Sequence, residues 1–244
     1  MITFDGKKFM VTGASSGIGR AVSIILSELG ASVILCGRDE ERLQETHERL
    51  KGKGHRIISF DVKDFSAYDI VFEQAVDDGK KLDGLVHCAG VATPTPLRVI
   101  YEEMIHDLLD VNYVSFMMLL KWYIKKKYSN GGSIVTISAV NAHYPQKCMS
   151  VYAASKLALE ASVKTVALEL AEKGIRINCV IPGGVNTSME QQILEKTRQY
   201  LDQKALLGMA EPEDIANMII FLLSDLSKKI TGRAMYVDSG WLGQ

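Results

Sequence analysis

Short, unbroken apolar runs recur along the chain and alternate with longer stretches in which apolar residues return every three or four positions. The runs are Phe9-Met-Val11, Ser32-Val-Ile-Leu-Cys36, Arg56-Ile-Ile-Ser-Phe60, Gly84-Leu-Val-His-Cys88, Ile134-Val-Thr-Ile137, Ile175-Arg-Ile-Asn-Cys-Val-Ile181 and Ala234-Met-Tyr-Val237. Each is short and mostly uninterrupted, as expected of strands buried on both faces. The stretches between them predict helices over 20–29, 39–50, 66–76, 102–127, 151–172 and 212–224. Strands alternating with helices predict right-handed βαβ units, and so an α/β fold: a doubly wound parallel sheet of about seven strands with helices on both faces. Nothing in the chain reads as a linker, repeat or low-complexity segment, so residues 1–244 are expected to form a single domain.

Two helical stretches break the usual one-sided pattern. Residues 153–171 carry small or apolar side chains on nearly every face, including Ala154, Ala158, Ala161, Val163, Val166 and Ala167, and 114–122 is similar. A helix of this kind needs cover beyond its own sheet, which points to a homodimer or homotetramer.

Composition adds mainly exclusions. With 47% hydrophobic and 23% charged residues over 244 positions, the chain is of ordinary globular type. A formal net charge of -1 gives no electrostatic reason to expect nucleic acid or an anionic membrane as a partner. Cys36, Cys88, Cys148 and Cys179 are scattered and form no metal-binding or disulfide pattern, so no metal is expected; three of them lie in apolar runs and are expected to be buried. The N-terminal residues lack the apolar core of a signal peptide and no later run reaches membrane-spanning length, so a cytoplasmic setting is expected.

Candidate chemistry begins at Thr12-Gly-Ala-Ser-Ser-Gly-Ile-Gly19, between the first strand and the first helix. Glycines at 13, 17 and 19 allow a sharp turn and close approach of the backbone to a phosphate, and the helix start offers free N–H groups. At the first βα junction of a doubly wound sheet, such a turn predicts dinucleotide binding, with Ser15 and Ser16 as further hydroxyl donors. The second strand ends at Gly37-Arg38, where an acidic residue would hold the ribose of NAD. Glycine leaves space and arginine can pair with a 2′-phosphate, so NADP(H) is favoured over NAD(H). A second constellation is Tyr152-Ala-Ala-Ser-Lys156 with Ser138. One helical turn places the phenol and the ammonium on the same face, where a cation favours phenolate and Ser138 can add a hydrogen bond to the same substrate oxygen.

These motifs, together with Asp61-Val62, Cys88-Ala-Gly90, Asn112 and Pro182-Gly183 followed by Thr187, make the chain resemble a short-chain dehydrogenase/reductase of the single-domain type, with a general likeness to 3-oxoacyl-[acyl-carrier-protein] reductases. The resemblance spans nearly the whole chain. It implies a cofactor half over about 1–130 and a catalytic and substrate half over about 131–244. It assigns Tyr152 as general acid/base, Ser138 as the donor orienting the carbonyl, Lys156 as tuning cation and ribose ligand, and Asn112 as holder of a relay water. The cofactor contacts it implies are Gly13, Ser15, Ser16, Gly17, Ile18, Gly19, Arg38, Asp61 and Val62 near the adenine, Ala89 and Gly90 along the adenosine side, Tyr152 and Lys156, and the turn carrying Pro182, Gly183, Val185 and Thr187 at the carboxamide.

His87 stands where the family often has asparagine and is read as structural, its ring bonding neighbouring backbone. His143, Tyr144 and Met189 are candidates either for substrate contact or for loop packing, and the polar stretch 184–207 is expected to close over the site. The implied reaction is hydride transfer between NADP(H) and a carbonyl or secondary alcohol, a 3-oxoacyl thioester being one candidate substrate and a keto-sugar or other small alcohol another. The missing substrate lobe disfavours a nucleotide-sugar epimerase, and the four-residue Tyr-Lys spacing disfavours an enoyl reductase. A non-catalytic dinucleotide-binding protein is the remaining alternative.

Overall fold

The computed structural model describes residues 2–187 and 205–241. Seven parallel strands form one sheet: β1 (Lys8–Thr12), β2 (Ser32–Gly37), β3 (Arg56–Ser59), β4 (Leu82–His87), β5 (Ser129–Ile137), β6 (Ile175–Pro182) and β7 (Ala234–Val237), in the order β3-β2-β1-β4-β5-β6-β7. The helices are α1 (Gly17–Glu28), α2 (Glu40–Glu48), α3 (Tyr68–Val76), α4 (Glu102–Leu109), α5 (Ser115–Tyr123), α6 (Ser150–Leu170) and α7 (Pro212–Leu223). The expected doubly wound α/β fold is the one observed.

Side chains alternate across the pleat and divide the core in two. Phe9, Val11, Val33, Leu35, Val135 and Val180 face α1 and α7, packing on Val22, Leu26, Ile215 and Ile219. Met10, Ile34, Cys36, Ile134, Ile177 and Cys179 face α3, α5 and α6, packing on Phe72, Phe116, Leu159 and Val163. Helices on both faces explain why the strands read as continuous apolar runs. The strand order reverses between β1 and β4, and the chain leaves those two strands in opposite directions. This opens a crevice at their carboxyl ends, where α/β sheets bind ligands.

The single helix expected over 102–127 is instead two helices joined by a π-helical turn, Asp110–Val114. Asn112 at the centre of that turn is fully buried. Its Oδ1 accepts from Val91 N–H at 2.8 Å, and its Nδ2 donates to the Val91 carbonyl at 3.0 Å and to Ser155 Oγ at 3.0 Å. The side chain thus ties the loop after β4 to α6, and the widened turn places it to do so.

The face of α6 flagged in the sequence is uncovered in the monomer: Ala154, Leu157 and Ala161 lie on its exposed side, and Leu168 further along is 79% exposed. Of the cysteines, Cys36 and Cys179 are buried, Cys88 is half-buried and Cys148 is exposed. The expectation of a third fully buried cysteine is corrected, because Cys88 lies just past the end of β4 and faces the crevice.

Candidate functional site

The glycine turn is built by steric necessity. Gly13 has φ +68°, and a Cβ there would sit 2.8 Å from the backbone of Cys88 and Ala89. A Cβ on Gly19 would be driven into the Gly13 carbonyl. Neither position tolerates a side chain, so β1, the turn and α1 close against β4 as one cradle. Ser16 precedes α1 without capping it through its hydroxyl, which leaves the first N–H groups of the helix to be satisfied from the crevice.

A cleft of about 370 Å³ runs over this turn. It is lined by Gly13, Ser15, Ser16, Gly17, Ile18, Gly19, Arg38, Asp61, Val62, Ala89, Gly90 and Thr187, twelve of the expected cofactor contacts. Arg42, on the first turn of α2, lines the same cleft and was not anticipated from the sequence; its only sequence signal is its position four residues after Arg38, one helical turn on. Arg38 is 64% exposed and lies 3.6 Å from Asp61. The geometry fits a dinucleotide: a glycine-rich backbone cradle at the diphosphate end and, at the far end, two guanidinium groups with the carboxylates of Asp39 and Asp61 beside them.

A second cavity of about 140 Å³ adjoins the first, sharing Ile18, Cys88, Gly90 and Thr187 with it. Ser138, Tyr152, Lys156, Pro182, Gly183 and Val185 line it, with Ile137, Ala139, Asn141 and Met149. Gly90, expected along the adenosine side, lines both cavities and stands at their junction: a Cβ there would be 3.3 Å from Lys156 Nζ and 3.4 Å from Asn112 Oδ1. Asn112 lines neither cavity and lies behind Gly90. Met189 and most of the stretch expected to close over the site lie outside the described residues.

Tyr152 and Lys156 share one face of α6, with the ammonium 5.7 Å from the phenol ring centre. Lys156 is only 6% exposed and donates to the Ile137 carbonyl at 2.8 Å. Burial pushes its pKa down from 10.5 to about 8. Cys88 is held protonated, its pKa raised to about 12 by burial despite the neighbouring ammonium.

Ser138 follows β5, and its hydroxyl donates to Glu160 Oε1 at 2.5 Å, with the Lys156 carbonyl a weaker acceptor at 3.3 Å. Glu160 is 3% exposed and also faces His143 Nε2, at 3.0 Å from Oε1 and 2.9 Å from Oε2. His143 therefore turns toward this carboxylate, and its ring meets Tyr236 edge-on at 5.6 Å. Glu160 was missed from the sequence, although it falls one turn after Lys156 and two after Tyr152 on a helix otherwise lined with small and apolar residues. Tyr144 packs edge-on against Trp241 at 6.2 Å.

His87 is buried and structural, with one correction: its partners are hydroxyls rather than backbone. Nδ1 lies 2.9 Å from Thr12 Oγ1 and Nε2 lies 3.4 Å from Ser115 Oγ. Ser115 commits its proton to the Val111 carbonyl at 2.6 Å, so His87 carries its proton on Nε2 and accepts from Thr12 at Nδ1. Burial, with a smaller push from Lys156, lowers its pKa to about 3.

A crevice at the switch point that joins a backbone phosphate cradle to a phenol beside a buried ammonium is the arrangement of dinucleotide-dependent α/β oxidoreductases. Comparison with known proteins gives the family. The family model described as Enoyl-(Acyl carrier protein) reductase matches residues 13–242. Glucose 1-dehydrogenase of Gluconobacter oxydans is 35% identical over 245 residues, covering 97% of this chain and 92% of that protein. The 3-oxoacyl-[acyl-carrier-protein] reductase FabG of Rickettsia felis is 33% identical, covering 99% of both. A crystal structure of a dehydrogenase/reductase from Sinorhizobium meliloti 1021 superimposes with a TM-score of 0.91 at 29% identity, covering 98% of this chain and 96% of that one. The chain belongs to the short-chain dehydrogenase/reductase family. It is an oxidoreductase acting on alcohol and carbonyl groups. No helix among the described residues is long and apolar enough to cross a membrane.

Proposed function

We propose that the protein is an NADP(H)-dependent reductase of small, largely apolar ketones, 3-oxoacyl thioesters being the substrate class favoured, with the reverse oxidation of the alcohol open to the same groups. One observation carries the reading: Tyr152, Lys156 and Ser138 line a cavity that opens directly into the cleft over the glycine turn. The nicotinamide, when bound, supplies or takes up the hydride. Tyr152 gives its proton to the substrate oxygen, and the adjacent ammonium of Lys156 stabilises the phenolate left behind. Ser138 offers a second hydrogen bond to that oxygen. Asn112 braces the Val91 backbone and Ser155; both Nδ2 protons are committed there, so a relay water held by this side chain must donate to Oδ1.

Arg38 and Arg42 support NADP(H) over NAD(H), since two guanidinium groups flank this end of the cleft; of the two carboxylates that also line it, Asp39 caps α2 by accepting from Arg42 N–H and Asp61 faces Arg38. The ketone preference rests on the cavity wall: Ile18, Ile137, Ala139, Met149 and Val185 face it, and Lys156 is the only charged side chain lining it among the described residues. Sugar oxidation is a second reading, supported by the likeness to glucose 1-dehydrogenase; the apolar wall offers few partners to a polyol. The family model's description names enoyl reductases, but the four-residue spacing of Tyr152 and Lys156 and the adjoining Ser138 suit carbonyl chemistry. The exposed face of α6 supports a homo-oligomer. Absorbance of reduced nicotinamide across acetoacetyl thioesters, aldoses, diketones and ketosteroids tests the assignment. Faster turnover of aldoses than of thioesters would replace it with the sugar reading, and NADH outperforming NADPH in kcat/KM would reverse the cofactor assignment.

A further inference from the structure

The Ser138 hydroxyl has one proton, and in this structure that proton goes to Glu160 rather than to the cavity. A hydroxyl committed to a carboxylate presents only lone pairs to a substrate carbonyl, which needs a donor. Donation into the cavity becomes available when Glu160 itself carries a proton. The carboxyl then donates to Ser138 Oγ, and Ser138 donates onward, all bonds running in one direction.

We propose that Glu160 is a positioning residue that sets the direction of the Ser138 hydrogen bond, with the half-exposed His143 linking the charge of Glu160 to solvent pH. The inference rests on the reaction proposed above. His143 is the most exposed of the three, its side chain 29% exposed against 4% for Glu160. Its Nε2 spans both carboxylate oxygens. The His143–Glu160 pair exists with or without one exchangeable proton beyond the imidazole's own. With it, Glu160 can be the acid and His143 a neutral Nε2–H donor. Without it, Glu160 is a carboxylate that holds the Ser138 proton.

Among the described residues, the groups facing Glu160 from neighbouring elements are few. Lys156 lies one turn back on α6, Cys179 comes from β6 and Tyr236 from β7; the Glu160 charge helps to raise the pKa of both Cys179 and Tyr236, after the larger effect of burial. Both stay protonated at neutral pH, and the Lys156 ammonium, with its pKa near 8, is common to every variant compared below.

The test uses wild type, Glu160→Gln, His143→Gln, Ser138→Ala and the Ser138→Ala/Glu160→Gln double variant. Ketone reduction by NADPH is followed with an acetoacetyl thioester from about pH 5.5 to 9, and NADPH titration and thermal melts check folding. Glu160→Gln should remove the part of the fall of kcat with rising pH that is not due to Lys156, whose own step near pH 8 persists in both proteins, leaving KM for NADPH within about twofold. His143→Gln should move that fall to higher pH, because the carboxyl loses the imidazolium that favours its ionised form. The double variant should be no slower than Ser138→Ala within about twofold, since Glu160 acts through the serine. Superimposable profiles for wild type and Glu160→Gln, or losses that multiply in the double variant, would overturn the proposal.

Absence of turnover with every ketone tried would count against the proposed reaction, and the pair is then read without substrate. In an NMR titration the His143 midpoint should rise by about half a pH unit or more in Ser138→Ala, which removes a donor competing for Glu160. An unmoved midpoint would overturn the inference.

Discussion

Lys156 is the most costly side chain in the site, and replacing it by methionine separates its cost to the fold from its use in the chemistry. The ammonium is 6% exposed, and its pKa falls from 10.5 to about 8 through burial. At about 1.4 kcal/mol for each tenfold change in proton affinity, the charged form costs the folded state about 3 kcal/mol near neutral pH. Methionine fills much the same volume without that cost, but gives up the charge-assisted bond to the Ile137 carbonyl, worth about 1.5–3 kcal/mol. At pH 7 the two nearly cancel, and Lys156→Met should have a stability close to that of wild type.

The pH dependence is the diagnostic. The folded pKa lies below the unfolded one, so between pH 8 and 10.5 the unfolded chain binds more protons and wild-type stability rises with pH. Below that window the cost is fully present. The stability of Lys156→Met relative to wild type should therefore fall by about 2.5 kcal/mol from pH 7 to pH 10. Urea unfolding of both cofactor-free proteins at matched pH reads this difference, and the cysteines, tyrosines and exposed lysines shared by both cancel from it. Curves that stay parallel across the window within about 0.5 kcal/mol would refute the buried-ammonium account. Turnover in the variant should fall by about a thousandfold or more at every pH, because the phenolate of Tyr152 loses its cation.

Tyr152→Phe should keep NADPH binding within about twofold by fluorescence titration and lose nearly all turnover, since it removes the proton and little else. Arg38→Ala/Arg42→Ala should raise KM for NADPH about tenfold or more while leaving KM for NADH nearly unchanged; equal losses with both cofactors would place the 2′-phosphate elsewhere. His87→Asn should gain stability relative to wild type as pH falls from 6.5 toward 3, the window in which the unfolded histidine takes up a proton that the buried ring refuses. Acid unfolding midpoints check this, and a wild type as acid-resistant as the variant would contradict it. Leu168→Glu should shift a homo-oligomer toward monomer in light scattering if the exposed face of α6 is a subunit contact.

What could be read from the sequence was what depends on spacing along one element. Strands such as Ser32–Gly37 announced themselves because both faces are buried, and the glycine turn because Gly13 and Gly19 are positions where no Cβ fits. Tyr152 and Lys156 could be paired because i and i+4 on a helix must meet. The break in the helix at Asn112 could not be foreseen: the segment is apolar and helical in pattern, and its π turn exists to deliver one amide to Val91 and Ser155, 21 residues back and 43 ahead. Arg42 was invisible for a related reason, since the cleft it enters is assembled from the ends of four strands.

Glu160 is the more instructive omission. A carboxylate on the same stripe as Tyr152 and Lys156, two turns along, contradicts the apolar reading of α6, and a charge at a buried helix position requires a partner. Its partners, Ser138 and His143, lie 22 and 17 residues away and reach it only because β5 ends beside α6. The general lesson lies in the direction of that inference. An ionisable residue that breaks the pattern of a buried face signals that something polar waits opposite, and here what waits is the hydroxyl expected to hold the substrate oxygen.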